Sequence, residues 1–383
     1  MSKSGAGAGG KVPFVDLQGQ AQLYRDEWRQ AIQGVLDSGR FIGGEEVKSF
    51  EREFSSYVGT KFGIGTGSGA DALRLALLAL GVGPGDEVVT VSHTFVASAD
   101  CIVHVGAKPV FVDIDPETYT MDPKALEKAI SPKVRAVLPV HLYGQSADVD
   151  AILEICRKHG LPMVEDAAQA HGARYRGRPC GSMGSLSCFS FYPSKNLGAL
   201  GDGGFVATSD AELAEKVRLL HEYGQVEKYR HVLVGFNSRL DALHAAVLRR
   251  KLTHLDAWNN ARRRAAERYA RALQGIPGVS PPSEAPHRQH IYHVYAVRTP
   301  HRADLQSWLG KQEIETGIHY PIPVHMQPAY TKVDWRAGDL KESVRASQEV
   351  LSLPMYPEIS DEQVDRVCRS VSEWARHPLQ ASG

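Results

Sequence analysis

Lys195 stands in the stretch SFYPSKNLGALGDGG, Ser190 to Gly204, between an apolar run and a glycine-rich segment. A lysine shielded from water loses part of its preference for the charged form, and its amine becomes nucleophilic. Such an amine can form a C=N bond with an aldehyde. Asp166 closes the apolar run LPMVED. A carboxylate there can cap the following helix, or it can fix a buried cation such as a pyridinium nitrogen. Gln169, three residues on, can reach the same ligand. Earlier in the chain, GTGSGADAL, Gly65 to Leu73, joins glycines to a helix start. Glycines let the backbone approach a ligand, and the helix start presents free N–H groups, a combination that binds phosphate. No GK[ST] follows, so this is not a Walker loop, and the spacing and ribose-binding acid of a dinucleotide fingerprint are missing. Ser190 and Ser194 add hydroxyls suited to phosphate oxygens.

These residues need elements to hold them. DEVVTVS, KPVFVDID, AVLPVHLYG, LPMVEDAA, SLSCFSFYP and GGFVAT read as strands, and DALRLALLALG, TFVASADCIVHVG and DVDAILEICRKHG read as helices, the last ended by Gly160. Apolar strands alternating with helices imply an α/β layered sheet, largely parallel. Ligands of such sheets sit beyond the carboxyl ends of the strands. The informative segments are therefore Gly67 to Ala70, Ser92 to Phe95, His141 to Gly144, Asp166 to Gln169 and Ser190 to Lys195. Helical patterning also covers Gln20 to Ser38 and Glu46 to Tyr57, and a charged helical stretch runs from Arg239 to Leu273 with a break near Leu255. HIYHVYAVRT alternates like a strand.

The chain has 383 residues with 44 basic and 44 acidic side chains. That length accommodates a large domain with a smaller one attached. The expected division is a flexible tail over residues 1–11, a large domain over 12–255 and a small C-terminal domain over 256–383. A net charge of +0 gives no global attraction to nucleic acid or to anionic membrane. Any anionic ligand must be held locally. The five cysteines, scattered and without a CxxC pair, suit a reducing, cytoplasmic setting. The start MSKSGAGAGG lacks the apolar core of a signal peptide. His287, His290 and His293 do not share one face of an alternating strand, and nothing completes a metal site, so no metal is expected. Arg262, Arg263 and Arg264 read as a solvated helix face.

The order GSGADAL, SHTFVAS, EDAAQAHGA, SFYPSKNLGALGDGG, GFNSRLDALHAAVL and GIHYPIPVHMQPAY resembles the DegT/DnrJ/EryC1/StrS family. Six motifs in sequence make the resemblance specific, and it runs from about Phe14 to the C-terminal region. It implies a fold-type-I aminotransferase that depends on pyridoxal 5′-phosphate (PLP) and acts on nucleotide-linked sugars. Its large domain would hold a mostly parallel sheet between helices, with a smaller α+β domain after it. Carried onto matching positions, the resemblance makes Lys195 the lysine that bonds the cofactor and shuttles the proton. Asp166 would pair with the pyridinium nitrogen, Gln169 would contact the ring hydroxyl, and Phe95 would stack on the ring. Backbone amides near Gly69 and Ala70, with the Ser190 hydroxyl, would hold the phosphate. Asn237 would reach the phosphate in the neighbouring subunit, making a homodimer with shared sites.

The segments His221 to Asp241 and GIHYPIP resemble the branch that aminates a 3-keto sugar. An amino acid, glutamate in the first instance, would be the donor. Lys228, Arg239, His319, Tyr320 and His325 are the candidate substrate or donor contacts. Arg239 suits a carboxylate, or it can pair with an acid of its own chain. The alternatives are amination at C4, a sugar dehydratase of the same fold, and a regulatory protein. Relatives that dehydrate often carry histidine in place of the lysine. The sequence shows no obvious helix-turn-helix.

Overall fold

The computed structural model describes residues 10–376. Among the described residues, two four-stranded sheets carry the large unit. In the first, the order is Phe62–Thr66, Gly204–Thr208, Leu186–Ser190, Val164–Asp166; in the second it is Arg336–Ala337, Lys108–Val112, Glu87–Val91, Val134–Val137. The parallel bridges Val137 to Met163 and Val140 to Asp166 run between them, so the two form one continuous layer. Within that layer only Gly204–Thr208 runs against its neighbours. Its two neighbours therefore point the same way, and Thr66 and Ser190 both lie opposite Gly204. Asp166 is in register with Cys188 on the next strand. The topology thus brings Thr66, Ser190 and Asp166 to one edge.

Burial explains the elements. Glu87–Val91 is buried along its whole length, as expected of a strand covered on both faces. The helix Gly69–Ala79 buries Ala72, Leu73, Leu75, Ala76, Leu77 and Ala79. The helix Val149–His159 ends at Gly160 with φ 65°, a left-handed turn that glycine adopts without strain. Beneath the lysine segment, Phe50, Phe54, Phe189, Phe191 and Phe205 pack together, Phe50 stacked on Phe54 and Phe54 edge to face with Phe205 at a centroid distance of 4.9 Å.

A second core gathers Tyr269, Leu273, Tyr295, Leu305, Leu351, Val367 and Trp374. It is built by the helices Leu255–Leu273, Arg302–Lys311 and Asp361–Arg376 and by the antiparallel pair Tyr295–Arg298 and Val350–Leu353. The helical stretch after Arg239 breaks as expected, into Ala242–Leu252 and Leu255–Leu273. Val12 belongs to the second core and pairs with Ile314. We propose to divide the chain at residues 255 and 256, with that first segment reaching across. The expected tail lies outside the described residues except for Gly10 and Lys11; Lys11 pairs with Glu315 at 2.5 Å.

Two expectations need correction. Only Tyr295–Arg298 of HIYHVYAVRT forms a strand. The preceding residues lie against Tyr143 and Gly144 instead, with Ile291 N donating to Gly144 O at 3.0 Å and Val294 N to Tyr143 O at 3.3 Å. Arg262 is not solvated. It is buried and donates to the carbonyls of Met355 at 2.9 Å and Tyr292 at 3.2 Å. Loss of solvent pushes its guanidinium down to about 10. Arg263 pairs with Glu284 at 2.8 Å, and Arg264 alone of the three is exposed.

Candidate active site

Asp166 ends its strand and is 4% exposed. Its Oδ2 accepts the Ser98 hydroxyl at 2.7 Å, and its Oδ1 accepts the Ala168 amide at 3.1 Å. Burial pushes this carboxyl above its ordinary value; the two donors and the charge of Lys195 oppose the rise. A buried carboxyl in this state gains most from a cation placed against it. Behind it, Glu165 is also buried. It accepts His141 Nε2 at 2.9 Å and the amides of Gly181, Met183 and Gly184 at 2.6–2.7 Å. This fully bonded carboxylate ties the 181–184 loop to the strand that carries Asp166.

Lys195 lies in the turn after Leu186–Ser190, its amide bonded to Tyr192 O at 2.8 Å. The side chain keeps some accessible surface, yet protein is dense around it. That loss of solvent pushes its amine down from 10.5 to about 8, against the opposing pull of Asp166. About a tenth of such amines are neutral at pH 7, against a few in ten thousand for an ordinary lysine. The glycines that follow are required by close packing: a Cβ at Gly198 would stand 2.2 Å from Pro193 O.

The helix Gly69–Ala79 starts beside Ser190. Ser68 caps it by accepting the Asp71 amide at 3.1 Å, which leaves the amides of Gly69 and Ala70 without acceptors inside the helix. A Cβ on Gly69 would stand 2.6 Å from Ser190 Cβ. Only glycine lets the helix start come this close to the serine. Phe95 presents an open ring, 54% exposed, with its centroid 5.8 Å from that of Tyr320. Gln169 donates to the Tyr320 hydroxyl at 3.1 Å and accepts the Tyr143 amide at 2.7 Å. His319 bonds Ser352 at 2.8 Å and is pushed down to about 4 by burial and then by Lys195.

The structure therefore gathers Lys195, Asp166, Gln169, Phe95, Ser190, Gly69, Ala70, His319 and Tyr320 around one edge of the sheet. His325 lies at its margin, 2.6 Å from Ser92 Oγ and near Phe111 and Trp335. Asn237 and Lys228 are exposed on a segment with the apolar side chains Val226, Tyr229, Val232 and Val234 turned outward. Arg239 holds Asn237 Oδ1 at 3.0 Å and pairs with Glu222 at 3.1 Å. Sequence reasoning passed over Ser98, three residues beyond Phe95 in the same motif. It also passed over Asn196, next to the lysine, and saw His293 only as a poor metal ligand. Among the described residues no group of three or more His, Cys, Asp or Glu is placed to hold a metal ion.

These residues fit PLP. A lysine with a depressed pKa suits the aldehyde, a buried carboxyl short of a cation suits the ring nitrogen, and the glycine-lined helix start beside Ser190 suits the phosphate.

The class that fold and site define is a fold-type-I aminotransferase. The chain belongs to the DegT/DnrJ/EryC1/StrS aminotransferase family, whose model matches residues 22–372. It is 49% identical to the dTDP-3-amino-3,4,6-trideoxy-alpha-D-glucose transaminase of Streptomyces venezuelae, over 97% of this chain and 98% of that one. It is 46% identical to a protein of Geobacillus stearothermophilus named pleiotropic regulatory protein, over 96% of this chain and 99% of that one. The crystal structure of S. venezuelae DesV in complex with a ketimine intermediate superposes with a TM-score of 0.94, at 49% identity, covering 96% of this chain and 99% of that one.

Proposed function

We propose that the chain binds PLP through Lys195 and transfers an amino group from an amino acid, L-glutamate, to C3 of a dTDP- or UDP-linked 3-keto hexose. The enclosure of Lys195 opposite Asp166 carries the reading of the chemistry. Similarity to a transaminase of a dTDP-3-amino sugar carries the position on the sugar. The amino sugar would be made by a cytoplasmic homodimer; among the described residues no helix is long and apolar enough to cross a membrane.

When bound, PLP supplies an electron sink for charge developing at the amino-bearing carbon. The chain does the rest. Lys195 Nζ would hold PLP by condensing with its aldehyde, the carbonyl oxygen leaving as water, and its depressed pKa raises the neutral fraction that could do so. Freed by the incoming donor, the same Nζ would serve as the base and acid that removes and returns the proton at the amino-bearing carbon. Asp166 keeps the ring nitrogen protonated, and Gln169 holds the ring hydroxyl. Phe95 covers a ring face. The amides of Gly69 and Ala70, with Ser190, hold the phosphate, joined by Asn237 from the other subunit. His319, Tyr320 and His325 face the sugar nucleotide, and Lys228 and Arg239 contribute to substrate or donor binding.

The reverse half-reaction tests this. Purified, PLP-loaded protein is mixed with dTDP- or UDP-linked 3-amino and 4-amino sugars, and the visible spectrum and product mass are followed. A spectral change with 3-amino sugars that glutamate's keto acid reverses supports the reading. Turnover of 4-amino sugars alone, or product lighter by one water, overturns it. The regulatory alternative, which the Geobacillus relative's name also suggests, requires binding of duplex DNA at physiological salt; the sugar reading expects none.

A further inference from the structure

The residue that follows the site lysine is fixed on all sides. Asn196 is 4% exposed. Its Nδ2 donates to Asn259 Oδ1 at 2.7 Å and, at longer range, to Ile291 O at 3.4 Å. Its Oδ1 lies 3.0 Å from His293 Nδ1. An amide oxygen only accepts, so His293 Nδ1 carries the proton and donates it. Burial pushes the ring far below 6.5, and the charges of Lys195, Arg262, His319 and His171 push the same way. The ring is therefore neutral, with its proton on the Asn196 side.

His293 is itself held by segments of the site. Its carbonyl accepts from Arg262 Nη1 at 3.4 Å. Its amide nitrogen lies 3.0 Å from where a Cβ on Gly144 would stand, a point also 3.2 Å from Gln169 O. Asn259, the other anchor of Asn196, donates to His171 O at 2.8 Å. The contact between His293 and Asn196 spans 97 residues of chain and ties the lysine turn to the start of the second unit.

We propose that His293 is a positioning residue for Lys195, acting through the side chain of Asn196. The proposal rests on the reading of Lys195 as the bonding lysine. A lysine amine rides on a flexible four-carbon stem, so where it can reach is set by how firmly its backbone is placed. Without the imidazole N–H, Asn196 Oδ1 becomes a buried acceptor with no donor. Water entering to satisfy it also solvates the lysine, and the enclosure that favours the neutral amine is lost.

The test uses the full-length, cofactor-free protein and site-resolved acylation of Lys195 across pH, read by peptide mass spectrometry. The wild type is expected to reach half its limiting rate near pH 8. In His293→Phe and Asn196→Ala that midpoint moves upward by about half a unit or more. Addition of PLP then gives a weaker lysine-bound absorbance band. His293→Gln, whose amide can still donate to Asn196, keeps the wild-type midpoint and band. Circular dichroism and thermal melting establish that each variant is folded, and either disrupting variant suffices if the other does not fold. Unchanged midpoints in the folded variants overturn the proposal while leaving the functional reading standing. A wild-type midpoint near the ordinary lysine value overturns both. Loss of folding in all three variants, the glutamine included, makes the role purely structural and overturns it too.

Discussion

Ser98 donates its hydroxyl to Asp166 at 2.7 Å, joining a helix start to a strand end 68 residues further along the chain. Ser98 is held in turn by Thr94, whose Oγ1 lies 2.9 Å from its Oγ. Burial raises the Asp166 carboxyl, and Ser98 is the foremost group opposing that rise. The pair explains how a carboxylate at a dry strand end stays available for a cation.

Removing that donor has a signed consequence. In Ser98→Ala the Asp166 carboxyl rises further, so a smaller fraction is ionised at a given pH. The acid limb of the pH–rate profile moves upward, and kcat falls by roughly tenfold, the scale of one hydrogen bond to a charged group. Ser98→Thr, which keeps the hydroxyl, restores most of the rate. An unshifted acid limb in Ser98→Ala contradicts the assignment.

Asn237 and Lys195 belong to different sites in the proposed dimer, and mixing tests it. Lys195→Ala and Asn237→Ala chains are each expected to lose activity, the first by roughly 10²-fold or more. Co-expressed at equal levels, half of the dimers are mixed, and each mixed dimer has one intact site. Activity recovers to about a quarter of wild type. No recovery on mixing places Asn237 in the same site as the lysine of its own chain.

Glu165 sets an acid limit on the fold. Burial alone would raise its carboxyl, but His141 and the amides of Gly181 and Gly184 outweigh burial and hold it below 4.5. A depressed carboxylate stabilises the fold above its unfolded value and loses that contribution as pH falls through its folded value. Glu165→Gln turns an N–H₂ toward backbone donors and is expected to cost about 3 kcal/mol or more at neutral pH. Thermal melts of both proteins from pH 7 downward should converge below 4.5. A constant gap across that range contradicts the role given to the charge.

Much of this site was legible because strand ends are where an α/β sheet places its ligands. Lys195, Asp166, Phe95 and Ser190 each follow an apolar run, and the fold brings them to one edge. Contacts between distant segments were not legible. Nothing local marks Ser98 as the partner of Asp166 or His293 as the partner of Asn196, because both contacts exist only once helix, strand and second unit are assembled. Arg262 was misread for the same reason: three adjacent arginines look solvated until the carbonyls of Tyr292 and Met355 enclose one of them. The run HIYHVYAVRT failed as one strand because its first half is drawn to Tyr143 and Gly144.

The central claim is that Lys195 is the residue that bonds the cofactor. The chain offers a built-in rival in Lys251, which is buried and, like Lys195, pushed down to about 8 by loss of solvent. Lys251 donates to Gly198 O at 2.7 Å and sits 4.2 Å from the Trp28 ring centre, so its amine is already engaged. The decisive measurement is borohydride reduction of PLP-loaded protein followed by peptide mass spectrometry. The account predicts the reduced pyridoxyl phosphate mass on Lys195 and on no other lysine. The same mass on Lys251 or on a surface lysine, with Lys195 unmodified, contradicts it.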